Sequence, residues 1–393
     1  MIKSYVITIT EVDDTEFALE ELETQLSKIE LMKNTIGIVS VSTDYFETGV
    51  YAAVAKALPF PLIGMSAYAQ NANGNIGIYL FSILVLTSDD CEFAHGISDE
   101  IPEQGDVTAL TRELYKKINP GLEKRAKLAL MYAPFFMQYC NYNYIKAIVE
   151  FDEALPVFGS LANCEVMKME TDTRTVYNEN IYTNRVVMLL ISGNISPQFY
   201  IGSITKESII LPNIGEVTAS KDNVVMEINN IKVNDVLEKI GFKDGALKDE
   251  GSMALTFLMN EKDSDGNIIS SATRGISDML DGAAVFGGRV PVGASLSGAI
   301  CTKDVIMQTA EETLSKIKED QANKTVLFYS CLGRQMTLLD EPMKEYELIS
   351  DKLKDSGFTF VAAAAGGEIC PTSVTENKAH NSEHDQTLIA CVF

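Results

Sequence analysis

Cys331, Arg334 and Glu368 lie at the ends of apolar strands, and their types suit ligand chemistry. Cys331 closes the run Thr325–Ser330, Arg334 follows three residues later, and Glu368 closes the small-residue run Val361–Glu368. A strand–helix–strand unit of this length makes a right-handed crossover with parallel strands. Arg334 and Glu368 are therefore expected at one edge of a sheet, where ligands favour the crevice outside the carboxyl ends of the strands. A guanidinium fork suits a carboxylate and an acid suits an ammonium, the two charges of an amino acid. The same two residues read equally as an ion pair that fixes two loops and binds nothing. Gly366 and Gly367 let a ligand approach backbone N–H groups, and the loop after Pro371, with His380 and Asn381, is long enough to fold over the site. The expected ligand-binding set is Cys331, Arg334, Gly366, Gly367, Glu368, His380 and Asn381.

The same residues spell two other chemistries. Cys331 with His380 makes a nucleophile and base if a cation such as Arg334 lowers the thiol pKa. A buried structural thiol at a strand end is the plainer reading of Cys331. His380-Asn381-Ser382-Glu383-His384 has the H-x-x-E-H spacing of inverted zincins, a chemistry that needs both histidines on one helical face. Asn381, Ser382 and Asp385 are poor helix formers, and His95 is the one other histidine, so no metal site is expected. Lys262–Asn267 has the look of a calcium loop but places Ala272 where a glutamate must close the shell. With no G-x-x-x-x-G-K-[ST] loop anywhere, no nucleotide or other cofactor is expected.

The elements that must position these residues repeat. Ile36–Val41, the helical Glu47–Leu58 and Ile63–Gln70 form one apolar strand, helix and small-residue strand. Leu128–Ala133, Tyr142–Phe151 and Phe158–Glu165 form a second, and Thr325–Ser330, Glu341–Ser356 and Val361–Glu368 a third. Each is followed by another apolar strand: Ile76–Thr87, Arg185–Ser192 and Gln386–Phe393. The small strands share a six-residue spacing that puts Gln70, Glu165 and Glu368 at corresponding places. Mixed α and β structure follows: strand-helix-strand-strand repeat units building mixed parallel and antiparallel sheets covered by helices.

Between the second and third units the texture changes. From about Ile195, turn signals recur about every eight to ten residues, with short strands such as Val224–Ile228, Met253–Met259 and Leu296–Cys301. At 393 residues the chain exceeds one core, and two domains are expected: 1–205 holding the units 36–87 and 128–192, and 206–393 holding the unit 325–393. A net charge of -23 repels phosphate backbones and anionic lipid, so neither nucleic acid nor membrane is an expected partner. No run approaches the roughly 18 apolar residues of a membrane span, and the N-terminus lacks an export signal. Seven scattered cysteines without a C-x-x-C pair fit reduced thiols in the cytoplasm.

Ser330-Cys331-Leu332-Gly333-Arg334, Gly366-Gly367-Glu368-Ile369-Cys370-Pro371 and His380-Asn381-Ser382 come after Val217-Thr218-Ala219-Ser220 and the hairpin VVMEINNIKVNDVLEKIG. Together they resemble the FIST family (F-box and intracellular signal transduction), with Ile63-Gly64 and Phe158-Gly159 as the matching pattern in the N-terminal half. The resemblance covers nearly the whole chain, an N-terminal FIST domain followed by a C-terminal one. It implies a sensory protein that binds a small polar ligand, an amino acid or similar metabolite. The two halves leave no room for an output domain, so signalling through a separate partner is expected. The alternative is a cysteine-dependent enzyme on a small metabolite using Cys331 and His380. Ala362 in place of glycine, and Gln70 in place of an acid, depart from the pattern of the other units.

Overall fold

The computed structural model describes every residue except 1, 103–105, 137–139, 166–167, 243–254 and 321, and the side chains of 169, 170 and 255. The first segment runs β1 (Lys3–Ile9), α1 (Thr15–Leu26), β2 (Asn34–Val41), α2 (Asp44–Glu47), α3 (Val50–Ala57), β3 (Leu62–Ser66), β4 (Gln70–Ala72), β5 (Asn75–Gly77) and β6 (Phe81–Ser88). The second runs β7 (Glu92–Ile97), α4 (Val107–Ile118), β8 (Ala126–Ala133), α5 (Tyr142–Phe151), β9 (Val157–Leu161), α6 (Met169–Asp172), β10 (Thr175–Tyr177), β11 (Asn180–Tyr182) and β12 (Val187–Ser192). β13 (Gln198–Gly202) precedes an inserted region of β14 (Ile209–Lys221), β15 (Val224–Ile228), β16 (Ile231–Lys232), α7 (Val233–Lys239), β17 (Leu255–Lys262), β18 (Ile268–Arg274), β19 (Ile276–Leu280), β20 (Ala283–Phe286) and β21 (Ser295–Ile300). The last segment is α8 (Lys303–Glu319), β22 (Thr325–Cys331), α9 (Leu332–Thr337), α10 (Lys344–Leu353), β23 (Thr359–Ala365), β24 (Gly367–Val374), β25 (Ala379–His384) and β26 (Leu388–Val392).

These strands make three six-stranded sheets, ordered β1-β6-β2-β3-β10-β11, β7-β12-β8-β9-β24-β25 and β13-β26-β22-β23-β4-β5, with β14–β21 forming a fourth sheet. In each of the three, the crossover pair is parallel: β2 with β3, β8 with β9, β22 with β23. The flanking strands β6, β12 and β26 run antiparallel to them. The fold is mixed α and β as expected, with helices over the sheets.

Period-2 alternation explains the layering. Ile36, Ile38, Leu128, Leu130, Tyr132, Leu327 and Tyr329 point into one core shared by all three sheets, where the Tyr329 hydroxyl donates to that of Tyr132 at 2.8 Å. The intervening residues face out, each sheet under its own helices: Val39 and Val41 with α1 and α3, Ala129 and Met131 with α4 and α5, Val326 and Phe328 with α8 and α10. Both faces being covered, the parallel strands read as continuous apolar runs.

The small residues in the second strands are there for close approach. Gly64 pairs with Val39 and Gly159 with Met131, and a Cβ at either glycine would fall on the partner's carbonyl oxygen. Ala362 holds the corresponding register against Phe328. The hairpin after each second strand leaves for another sheet. β4 pairs with β23, β10 with β3, and β24 with β9. That exchange sets Gln70 opposite Ala363, Thr175 opposite Met65, and Glu368 opposite Ser160. Glu165 does not share the position; it is exposed in the connection after β9, and Thr175 stands where it was expected.

Strand exchange also crosses residue 205. β4, β5 and β13 complete the sheet of β22 and β23, while β24 and β25 complete that of β8 and β9. The division at 205 separates the sequence but not the sheets. The strand expected at Met253–Met259 is described from Leu255 onward, its first residues lying outside the described ones.

Candidate functional site

At the carboxyl ends of β22 and β23 lies a cavity of about 300 Å³, lined by Cys331, Gly366, Asp385, Gln386, Phe135, Phe136 and Phe286 among others. β22 ends at Cys331 because its N–H donates to the Thr387 carbonyl at 2.9 Å, the last rung before the chain turns into α9. The short loop from His384 to Leu388 links β25 to β26 and brings Asp385 and Gln386 to the same place. Gly333 has no side chain to spare there, since a Cβ would strike the Gln386 amide.

Three acidic groups gather at this end. Glu368 is wholly buried, and its Oε2 accepts the Thr387 hydroxyl at 2.9 Å. Oε1 has no hydrogen bond. Burial, then the neighbouring Asp385, raises the Glu368 carboxyl well above the usual range. The Cys331 thiol lies beside it and is also pushed well up, by burial and then by Glu368 and Asp385, against backbone N–H groups of Gln386 and Gly333. Asp385 is raised to about 6 by burial, with Arg274 opposing. Its carboxylate accepts the Gly275 N–H at 3.2 Å, and both oxygens lie where a Cβ on Gly287 would be, at 2.6 and 2.5 Å.

Arg334 is not part of this wall. It is wholly buried beneath it, with Nε 3.0 Å and Nη2 2.5 Å from Oε1 of Glu345 on α10. Its remaining N–H groups reach the carbonyls of Ile306, Gly202 and Gln386 and the Thr309 hydroxyl. Every direction of the fork is used, so it has none left for a ligand carboxylate. The ion-pair reading of Arg334 describes it, with Glu345 rather than Glu368 as the acid.

His380 and Asn381 also lie apart from the cavity. β25 pairs with β24 so that His384 stands opposite Glu368. His380 is four residues further along, about 13 Å at roughly 3.3 Å per residue. It has no route to the Cys331 proton, and it cannot share a metal with His384; among the described residues no metal-binding group of side chains exists. Asn381 is spent on structure, accepting the Val157 N–H at 2.8 Å and donating to the Leu155 carbonyl at 2.9 Å. Glu383 pairs with the buried Arg274 at 3.2 Å, and His384 bonds the Cys370 carbonyl at 2.9 Å, its pKa lowered to about 4 by burial. Gly366 lines the cavity while its N–H goes to the Leu161 carbonyl at 3.0 Å. Gly367 is glycine for packing, since a Cβ would lie 2.7 Å from the Asn141 amide nitrogen.

Sequence reasoning missed Asp385, Gln386 and the three phenylalanines. Phe135 and Phe136 follow the end of β8 as Cys331 ends β22, a signal the repeat offered. Phe286 comes from the inserted region, and no local pattern points to it.

Two family models match the chain: the FIST N domain over residues 35–231 and the FIST C domain over 234–371. No curated protein matches it. Among solved structures, a crystal structure of cyanuric acid hydrolase from A. caulinodans aligns over 100% of this chain and 99% of its own, at 9% identity and a TM-score of 0.36.

Proposed function

The chain belongs to the FIST family, whose domains are associated with sensing of small ligands in signal transduction, and from that premise we propose that it is a sensor. It binds a small metabolite with a polar head in the cavity beside Cys331 and passes the event to a separate protein partner. One observation supports this above the others. A cavity of about 300 Å³, within the size range of ligand sites, opens at the carboxyl ends of parallel strands, where Asp385 faces it in an environment that disfavours its charge. Of the residues proposed from sequence, Cys331 and Gly366 line the cavity, with Glu368 behind them. An amino acid as ligand loses the guanidinium that was to hold its carboxylate.

The thiol chemistry and the distance of His380 weigh against the cysteine enzyme. All seven cysteines are free thiols, which supports a cytoplasmic protein. Among the described residues no helix is long and apolar enough to cross a membrane. A thermal-shift screen of a metabolite library on the full chain tests the reading. A ligand of the native state at a hundredfold excess over its Kd adds about 2.7 kcal/mol of stability. A library that raises the melting temperature with no compound, across acids, amines and neutral metabolites, sinks the proposal.

A further inference from the structure

The cavity's wall is lopsided in charge. Among the described residues lining it there is one carboxylate, Asp385, and no lysine or arginine. The nearest cation, Arg274, is already committed to Glu383 and to the carbonyls of Thr273 and Arg289. Phe135, Phe136 and Phe286 line the same cavity and supply apolar and aromatic surface. Aromatic faces attract cations, and a desolvated carboxylate seeks one. A carboxylate ligand would meet Asp385 with no counter-charge, a like-charge contact that costs affinity.

We infer that the cavity selects a protonated amine with a compact apolar body, its ammonium on Asp385 and its body against Phe135, Phe136 and Phe286. The inference rests on the proposed reading of this cavity as the ligand site. It separates amines from zwitterionic amino acids, which the ligand-binding reading alone does not do. The chain's net charge of -23 favours the approach of a cation as well.

Isothermal titration calorimetry on the full chain with 2-phenylethylamine, phenylacetate and phenylalanine tests this. The amine is expected to bind at least tenfold more tightly than the other two, and Asp385→Asn, which keeps an acceptor for the Gly275 N–H, to weaken it at least tenfold. Wild-type protein gives a second reading that needs no variant. The amine stays protonated from pH 7.5 to 5.0, while Asp385 does not stay ionised, so affinity should fall about tenfold across that interval. The charged or titratable groups facing Asp385 are Arg274 on β18, Glu383 on β25, Glu368 on β24 and Cys331 on β22. Equal or tighter binding of phenylacetate or phenylalanine overturns the amine inference and leaves a small-ligand sensor standing. So does amine binding that ignores both Asp385→Asn and pH. An amine that does not bind overturns the inference too, and the metabolite screen then decides the sensor reading on its own.

Discussion

Replacing Arg334 by methionine separates a structural guanidinium from a ligand-binding one. In the folded protein Arg334 and Glu345 are 0% and 2% exposed and 2.5 Å apart, and Glu345 also accepts the Ser330 hydroxyl. Methionine fills much of the volume but leaves the Glu345 carboxylate buried without its cation. Breaking one side of a buried pair costs about 3–5 kcal/mol, whereas replacing both partners by apolar residues of similar size is often near neutral. Urea unfolding at pH 7 should therefore show Arg334→Met losing about 3–5 kcal/mol and the double variant Arg334→Met/Glu345→Leu recovering most of it. Ligand affinity, measured below the unfolding transition, should change little, because no N–H of Arg334 reaches the cavity. Wild-type stability in the single variant, together with lost ligand binding, would refute the reasoning and return Arg334 to the ligand.

Three further outcomes follow from the same geometry. Gly159→Ala should cost about 3 kcal/mol or more in urea unfolding, the upper end for overpacking, because its Cβ would meet the Met131 carbonyl oxygen, a backbone atom; an unchanged midpoint would show that the strands separate freely. Asp385→Asn should stabilise the protein at pH 7.5: a folded pKa raised from 3.8 to about 6 gives stability that is full below 3.8 and lost as pH rises through 6, worth about 1–3 kcal/mol once its partial exposure is allowed for. The gain should vanish near pH 4, and a gain that persists there would point to packing instead. Cys331 should react slowly with iodoacetamide at pH 7.5, since burial holds it as the thiol; rapid single alkylation at Cys331 would favour the cysteine enzyme.

Local pattern carried the crossover units into the sequence because each strand's two faces are apolar and each helix is amphipathic, properties of neighbouring residues. It placed Cys331 at a strand end and marked Gly64 and Gly159, whose missing side chains are demanded by the adjacent strand. It could not show where the hairpins go. Gln70 and Glu368 leave their own units and pair with distant strands, and nothing in either segment encodes the partner. Glu165 kept the spacing of Glu368, but the longer connection after β9 shifts the pairing to Thr175. Arg334 was misread for a similar reason: its acid lies eleven residues on in α10, and sequence offers several acids at comparable distance. The H-x-x-E-H run fell on a strand, where alternation sends Glu383 one way and both histidines the other. Asp385, next to it, drew no notice because its importance depends on Gly275 and Phe286 from the inserted sheet.

The chain has no tryptophan, which makes a single introduced one an unambiguous reporter. Phe136→Trp places it on the cavity wall, and Phe151→Trp places it on the exposed end of α5. With the compound that most raises the melting temperature in the screen, the Phe136→Trp protein should show a saturable emission change with the calorimetric Kd, while the Phe151→Trp protein stays silent. Calorimetric binding with no response at position 136 would put the ligand elsewhere and contradict the account.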